Sequence, residues 1–570
     1  MCRHPRWRAA LWMTAASIAS GPAFGQSTAV QINRIEAQMR ALNAELARIR
    51  REMATKDVSV HAAQADAARA RAMAERTQAA PAASPPESRP VALGIGAAHP
   101  DYPSPKTDWT STNISGSNAG AQNAGNAGPL GTFHVGGLTI QLGGFVAAEG
   151  LYRTRNETTS IGSNFAAIPL AQSQQSHEGE FRLTSQQSRF SLLMHGDLSR
   201  SEHAEAYAEL DLLGAAPTAN SNESNSYTPR LRQAYASFDD NALGLHALAG
   251  QSWSLATLFK TGVTPHQENV PFTIDAQYVP GFTWTRQPQL RVAKDFGSKY
   301  WLAASLESPQ TVYSVGANGT GVGFGTVNYN NPGTSQLNPT TNYSTDIAPD
   351  VIVKFAADPG YGHYEVFGLA RFMQSRVSVL GNGHSNTRFG GGVGGGVILP
   401  ILGDKLGIQL SGLAGYGIGR YGSGQLPDAT IGPSGAPSPL PEFQALVGLV
   451  SHPISTVDLY GYVGTEQIGR KAFNAGGKAY GYGNPLYSNA GCAIELSASP
   501  CTANNSGITQ GTLGAWWRFL KGDFGTVQAG IQYSYTRRAI FKGVTGPGNT
   551  GNAFPDNNMG LVSVRYLPFQ

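Results

Sequence analysis

The chain has 570 residues, of which 70 are glycine and only 14% are Asp, Glu, Lys or Arg; soluble domains average about 7% glycine and about 25% charged residues. Mean hydropathy is −0.22 and no uncharged apolar run reaches about 18 residues, which excludes a helical membrane protein. The formal charge of +4 includes Arg3, Arg6 and Arg8 of a leader-like segment, and no basic block remains to neutralise phosphates, so nucleic acid is excluded as a partner.

Residues 1–25 have the three zones of a secretory signal peptide: a basic start, the weakly apolar stretch from Ala9 to Ser20, and the small residues of Ala23-Phe-Gly25 before Gln26. Export brings the rest of the chain into an oxidising compartment. Cys2 leaves with the leader, and Cys492 and Cys501 remain as an even pair, which predicts one disulfide.

Residues 26–80 form the next segment. Ile32, Ile35, Met39, Leu42, Leu46, Ile49 and Met53 recur in alternating steps of three and four, a heptad seam narrower than the apolar face of a globular helix. A coiled coil that joins separate chains is expected. The seam lacks the pattern of β-branched residues alternating with leucine that favours dimers, so three or four strands are favoured. Residues 81–131 contain Pro81, Pro85, Pro86, Pro90, Pro100, Pro103 and Pro105 and an Asn-Gly-Ala tract, the composition of a flexible linker.

From 132 to 570 the period changes to two. Sixteen candidate strands alternate apolar with polar residues: 140–153, 181–197, 203–213, 229–238, 243–255, 282–293, 299–307, 350–357, 362–376, 387–399, 405–420, 442–451, 456–467, 512–520, 524–538 and 558–569. Short connections and long ones rich in Gly, Asn, Ser and Pro take turns along the whole domain. Even strand number with segregated loop length belongs to an all-β fold, a transmembrane antiparallel β-barrel, whereas a soluble sandwich has no reason to sort its loops this way.

Within the strands, Ala204, Ala206, Ala208, Leu210 and Leu212 share one face and Glu205, Tyr207, Glu209 and Asp211 the other. One face suits lipid and the other a wet lumen, where three carboxylates are tolerable if arginines stand opposite. The polar faces supply the pore candidates Arg189, Arg230, Arg232, Arg291, Arg371, Arg518 and Arg538, with Glu205, Glu209, Asp211 and Glu365. Fixed arginine charge at a constriction would favour anions and match a carboxylate in bidentate fashion; mutual pairing within the wall is the structural alternative. The long loop 256–281 is expected to fold inward, so that Lys260, His266, Asp275 and Tyr278 meet that wall and the apolar Val270-Pro-Phe-Thr-Ile274 packs against it.

Five pieces of sequence carry a resemblance: Gln187-Ser-Arg-Phe190, Glu209-Leu-Asp-Leu-Leu-Gly214, Arg230-Leu-Arg-Gln-Ala-Tyr235, Gly250-Gln-Ser-Trp-Ser254 and Arg286-Gln-Pro-Gln-Leu-Arg291. In these the chain resembles the DcaP-like trimeric outer-membrane porins, over about 131–293 by motif and beyond that by barrel pattern. An N-terminal coiled coil followed by a linker is also similar to that family. The resemblance implies a homotrimer of barrels that admits small, often anionic solutes. The chain departs from the family in its long loops 308–349 and 468–511 and in ending on Phe569-Gln570.

Other motifs do not point to chemistry. Gly417-Ile-Gly-Arg-Tyr-Gly422 matches a dinucleotide fingerprint but closes a strand and has no following helix to hold a pyrophosphate. The run from Gly391 to Gly396 lies within a strand and suits close packing against a neighbouring wall. No GxSxG, HExxH or paired CxxC is present, and the twelve histidines are scattered along the sequence. The expectation is a channel in the outer membrane of a Gram-negative bacterium that carries small hydrophilic, anionic solutes, with its N-terminal region in the periplasm and with no cofactor, metal or catalytic residue. Two alternatives come from other classes: a barrel-anchored structural or adhesive protein whose coiled coil contacts the cell wall, and a barrel enzyme built on His177, His266 or His384 of the outer loops.

Overall fold

A strand whose side chains alternate between lipid and lumen can leave no backbone edge unpaired in a bilayer, so the sheet must close. It does so in the computed structural model, which describes residues 130–214, 227–321, 323, 325–332, 342–403, 405–546 and 555–570. The leader, the coiled-coil seam and nearly all of the linker lie outside these residues. Sixteen antiparallel strands make the wall. They are β1 (Leu138–Arg153), β2 (Glu180–Thr184 continued by Arg189–Asp197), β3 (Glu202–Gly214), β4 (Thr228–Asp240), β5 (Leu245–Trp253), β6 (Arg286–Phe296), β7 (Tyr300–Glu307) and β8 (Asp350–Ala357). The second half comprises β9 (His363–Val379), β10 (Asn382–Pro400), β11 (Leu406–Tyr416), β12 (Pro441–Ile454), β13 (Val457–Ile468), β14 (Asn505–Gly522), β15 (Gly525–Ile540) and β16 (Asp556–Leu567). Val146–Arg153 of β1 pairs with Met559–Tyr566 of β16 and closes the ring.

The sixteen expected segments correspond one to one with these strands, and their ends differ for local reasons. The expected strand 405–420 stops at Tyr416, because Gly417, at φ +70°, turns the chain into the barrel. The segment 282–285 belongs to an inward loop, so β6 starts at Arg286. β14 starts at Asn505, several residues before the expected 512, because its first turn alternates Ser, Gly, Thr and Gln and carries little apolar signal. The connection expected over 377–386 is only Leu380-Gly381, the tip of a hairpin in which β9 and β10 pair from His363 to Val379.

The outer surface meets the demands of lipid. Leu290, Val292, Val366, Val393, Leu513 and Val562 point outward and are exposed. Phe296, Tyr300, Phe355, Trp517 and Tyr566 ring the end with the short turns, and Tyr152, Phe181, Tyr416 and Phe443 ring the end with the long loops. Two aromatic girdles flanking an apolar band define the depth of a membrane-spanning barrel. Short turns face the periplasm in such barrels.

The inner face is mixed rather than uniformly polar, a departure from the expected apolar-out, polar-in rule. Tyr460, Tyr462 and Trp516 point inward and are buried, because the loop between β5 and β6 crosses the lumen and covers them. Phe272 N–H donates to the Tyr462 hydroxyl at 3.1 Å, and Trp516 Nε1–H donates to the Phe272 carbonyl at 2.8 Å. Ile274 N–H donates to Gln532 and Gly281 N–H to Glu466, on the wall opposite the strands from which the loop leaves. The loop thus behaves as its apolar Val270–Ile274 stretch predicts. Leu255, Phe259 and Val263, nearer its start, pack on Ile352, Phe367, Leu369 and Leu413.

A second inward segment, 417–440, was not anticipated. Trp284 N–H donates to the Tyr421 carbonyl and Ser423 N–H to the Phe282 carbonyl, so the two loops are bonded to each other along their backbones. The glycines of the fingerprint-like motif serve this approach: a Cβ on Gly422 would stand 2.4 Å from the Glu466 carboxylate.

Cys492 and Cys501 form the predicted disulfide in the loop between β13 and β14. Closing so short a ring is worth roughly 2–3 kcal/mol in the chain-entropy model. Replacing both with serine is expected to leave the wall folded and to speed proteolytic cutting between 484 and 505. Equal cutting rates, or quantitative alkylation of both thiols without reductant, would refute the bridge as a loop staple.

Candidate functional site

Strand register determines which charges meet inside the wall. Asp211 of β3 lies opposite Arg189 of β2 and Arg230 of β4, and Glu209 lies opposite Gln233, one position from Arg232. Of the three carboxylates in a row, Glu209 and Asp211 therefore have arginines beside them, whereas Glu205 lies opposite His195 and Ser237. Arg232 pairs with Glu209, with Asp211 at 2.9 Å, and donates to the Tyr278 hydroxyl of the inward loop at 3.3 Å. Arg189 stands 3.8 Å from Glu209 and over the Phe145 ring. Both arginines are buried.

The other candidates have similar structural partners. Arg291 is buried, donates to Gln289 and to the Trp253 carbonyl, and lies over the Phe259 ring. Arg371 is held by Asp350 at 3.1 Å and Asp428 at 2.7 Å and also donates to the Gly417 carbonyl, which pins the second inward loop to β9. Glu365 accepts from Lys354 at 2.6 Å. Arg518 pairs with Asp458 near the short turns. Glu205 sits beside His195 at the same end.

In the first inward loop, Asp275 accepts from Ser163 at 2.6 Å and Tyr278 meets Arg232, while His266 stands 2.8 Å from the Tyr235 hydroxyl and edge-on to Tyr207. Burial pushes His266 down to about 4, so its imidazole is neutral at pH 7. Burial also lowers Lys260 to about 8, against the opposing pull of Glu268.

Two candidates stand apart because they line open space at the long-loop end. Arg230 borders a cavity of about 450 Å³ together with Thr158, Ser160, Asn164, Gln186, Gln277 and Gln425. Its side chain is 34% exposed even though it forms a bidentate pair with Asp211. Arg538 borders a second cavity of about 360 Å³ with Tyr313, Ser314, Tyr482, Asn504 and, again, Gln425. It donates to Asn505 and to the Ile168 carbonyl, and among the described residues no ion pair to a carboxylate engages it. Among the described residues neither lining contains Asp or Glu. Gln425, common to both, has φ +54° and lies in the second inward loop; nothing in its sequence context marked it, since its position depends on how that loop folds back. Among the described residues the arrangement is a polar vestibule with two cations and no acid on its lining, while Asp211, which pairs with Arg230, is buried outside that lining.

No family model matches the chain, and no curated protein matches it. Solved structures do. The chain is similar to the outer membrane channel DcaP of Acinetobacter baumannii, at 16% identity over 77% of this chain and 100% of that one, with a TM-score of 0.52. OmpF of Salmonella typhi, in complex with daunomycin, aligns at 9% identity over 76% and 99% with a TM-score of 0.42. An anion-selective porin from Comamonas acidovorans aligns at 12% over 75% and 99% with a TM-score of 0.40. The first of these establishes the fold: the resemblance to DcaP-like channels extends from the five motifs to the whole barrel.

Proposed function

We propose that the protein is an outer-membrane porin, a diffusion channel for small hydrophilic solutes that favours carboxylates and other small anions. The observation that carries this reading is the vestibule, where Arg230 and Arg538 border cavities whose linings, among the described residues, contain no acid. A fixed positive charge beside a narrow aqueous path lowers the barrier for anions, and a guanidinium offers two parallel donors to a carboxylate. The DcaP-like fold agrees with this reading. Residues 1–25 act as the export signal and 26–80 form the periplasmic coiled coil, joined by the linker 81–131. The barrel carries no chemistry of its own. His177, His266 and His384, on which an enzyme would have to draw, belong to three different segments: the β1–β2 loop, the inward loop between β5 and β6, and strand β10.

Liposome swelling with purified protein tests the reading. Swelling in monocarboxylates that is faster than in neutral sugars of equal size is expected. No swelling at all would leave the anchor or adhesive alternative, in which the coiled coil contacts the cell wall.

The assembly we infer is a homotrimer. On the outer face of β9 to β12, Gly368, Ala370, Gly391, Gly395, Gly412, Ala414 and Ala445 sit on adjacent strands and make a small-residue strip among larger outward side chains such as Val366, Val393 and Phe443. Such a strip lets two backbones approach closely, and the heptad seam favours more than two chains. Light scattering in detergent is expected to give three copies, and Ala414→Trp to raise the monomer fraction. A wild-type monomer at every detergent concentration would overturn the trimer.

A further inference from the structure

The histidines that look scattered in the sequence gather in space. His195, His203, His246, His363 and His452 all lie on strands next to the short turns, each beside a carboxylate. One group differs from the rest in offering two imidazoles to one acid.

The β2–β3 hairpin presents His195-Gly-Asp197 on one strand and His203-Ala-Glu205 on the next. Residues two apart share a face, and the register sets Asp197 opposite His203 and His195 opposite Glu205. All four side chains therefore form a square on the lumen side. His203 Nδ1 stands 2.7 Å from Asp197 Oδ1 and His195 Nε2 stands 3.0 Å from the same oxygen. One donor atom from each of the three residues lies within 4.8 Å of the others. Donors bonded to zinc at about 2.0–2.1 Å in a tetrahedron are roughly 3.3 Å apart, so small side-chain rotations suffice. The remaining nitrogen of His195, Nδ1, is 3.4 Å from Glu205 Oε1, the outer-shell carboxylate that orients a metal-bound imidazole. Asp197 is 68% exposed, which leaves an entry path and room for water as a further ligand.

We propose that His195, Asp197 and His203 bind a divalent transition-metal ion, with Glu205 orienting His195, at the short-turn mouth of the barrel. Two imidazoles and a carboxylate suit Zn²⁺, Cu²⁺ or Ni²⁺, whereas Mg²⁺ and Ca²⁺ need a shell of oxygens. This site is separate from the vestibule and does not depend on the transport reading.

Titration calorimetry of the full chain in detergent, with Zn²⁺ as the probe and Mg²⁺ as the comparison, tests it. One saturable zinc site per chain is expected, with Mg²⁺ giving no heat of binding. His203→Ala should weaken zinc by on the order of 100-fold and Glu205→Gln by about 10–100-fold, while His384→Ala on the far hairpin leaves it unchanged. Heat-modifiable migration on a gel verifies that each variant is folded. If His203→Ala does not fold, His203→Gln keeps a donor for Asp197 and removes the imidazole ligand, and the same loss is expected. Absence of saturable zinc binding, or undiminished binding in a folded His203 variant, would show a hydrogen-bonded cluster only and overturn the site.

Discussion

Arg232→Met is expected to cost the barrel several kcal/mol and to lower sharply the temperature at which it loses its compact, heat-modifiable form. Arg232 stands between Glu209 and Asp211 and also reaches Tyr278 of the inward loop. Glu209 and Asp211 are themselves almost fully buried. Removing one partner from a buried ion pair leaves the other charge uncompensated and typically costs about 3–5 kcal/mol. Asp211 keeps its bidentate pair with Arg230, whereas Glu209 is left with Arg189 alone, 3.8 Å away, which supplies only part of the lost charge. A double change that also makes Glu209→Gln should recover part of the loss, because the neutral amide needs no counter-charge and Asp211 stays paired with Arg230. Unfolding temperatures of the single and double variants, measured by gel migration after graded heating, check both statements. A single variant as stable as the wild type would mean that water reaches these carboxylates and that the pairing is not structural.

This explains how far the lumen could be read from sequence. Period-two alternation fixed the face of each charged residue, so Arg189, Arg230, Arg232 and Arg371 could all be assigned to the interior. Whether an interior arginine borders water depends on what covers it, and the cover comes from loops remote in sequence. Arg371 is closed over by Asp428 and Gly417, more than forty residues further on. The first inward loop was legible because Val270-Pro-Phe-Thr-Ile274 is too apolar to face solvent. The second was not: its buried Leu426, Ala429, Ile431 and Leu440 are separated by Gly, Pro, Ser and Asp, and it is held chiefly by backbone bonds and by glycines that permit close approach. Likewise, the pairing of His195 and His203 with Asp197 needed the hairpin register, although the two short motifs were visible on adjacent strands.

Selectivity is where the interior charge should show itself. The sequence points to Arg230, Arg232 and Arg291 among the pore candidates as the selective residues, but Arg232 and Arg291 are buried in the wall, and the vestibule sets Arg230 with Arg538 instead. Under a salt gradient across a planar bilayer, the wild-type channel should therefore give a reversal potential of the anion-selective sign. Arg230→Gln with Arg538→Gln should move it toward cations. A unit charge about 7 Å from a passing ion, in water-like dielectric, is worth about 0.6 kcal/mol, close to RT. It acts with opposite sign on anion and cation, so each arginine multiplies their ratio several-fold and the pair changes it by roughly an order of magnitude. Asp211 keeps its charge in both proteins and stays held by Arg232 at 2.9 Å, so losing Arg230 changes the wall by one unit of charge. Screening sets the salt dependence: the Debye length falls from about 10 Å at 0.1 M to about 3 Å at 1 M, so the difference between variant and wild type should be large in dilute salt and nearly vanish in concentrated salt. A cation-selective wild type, or a double variant whose reversal potential matches it in dilute salt, would remove the vestibule arginines from the path of the ions.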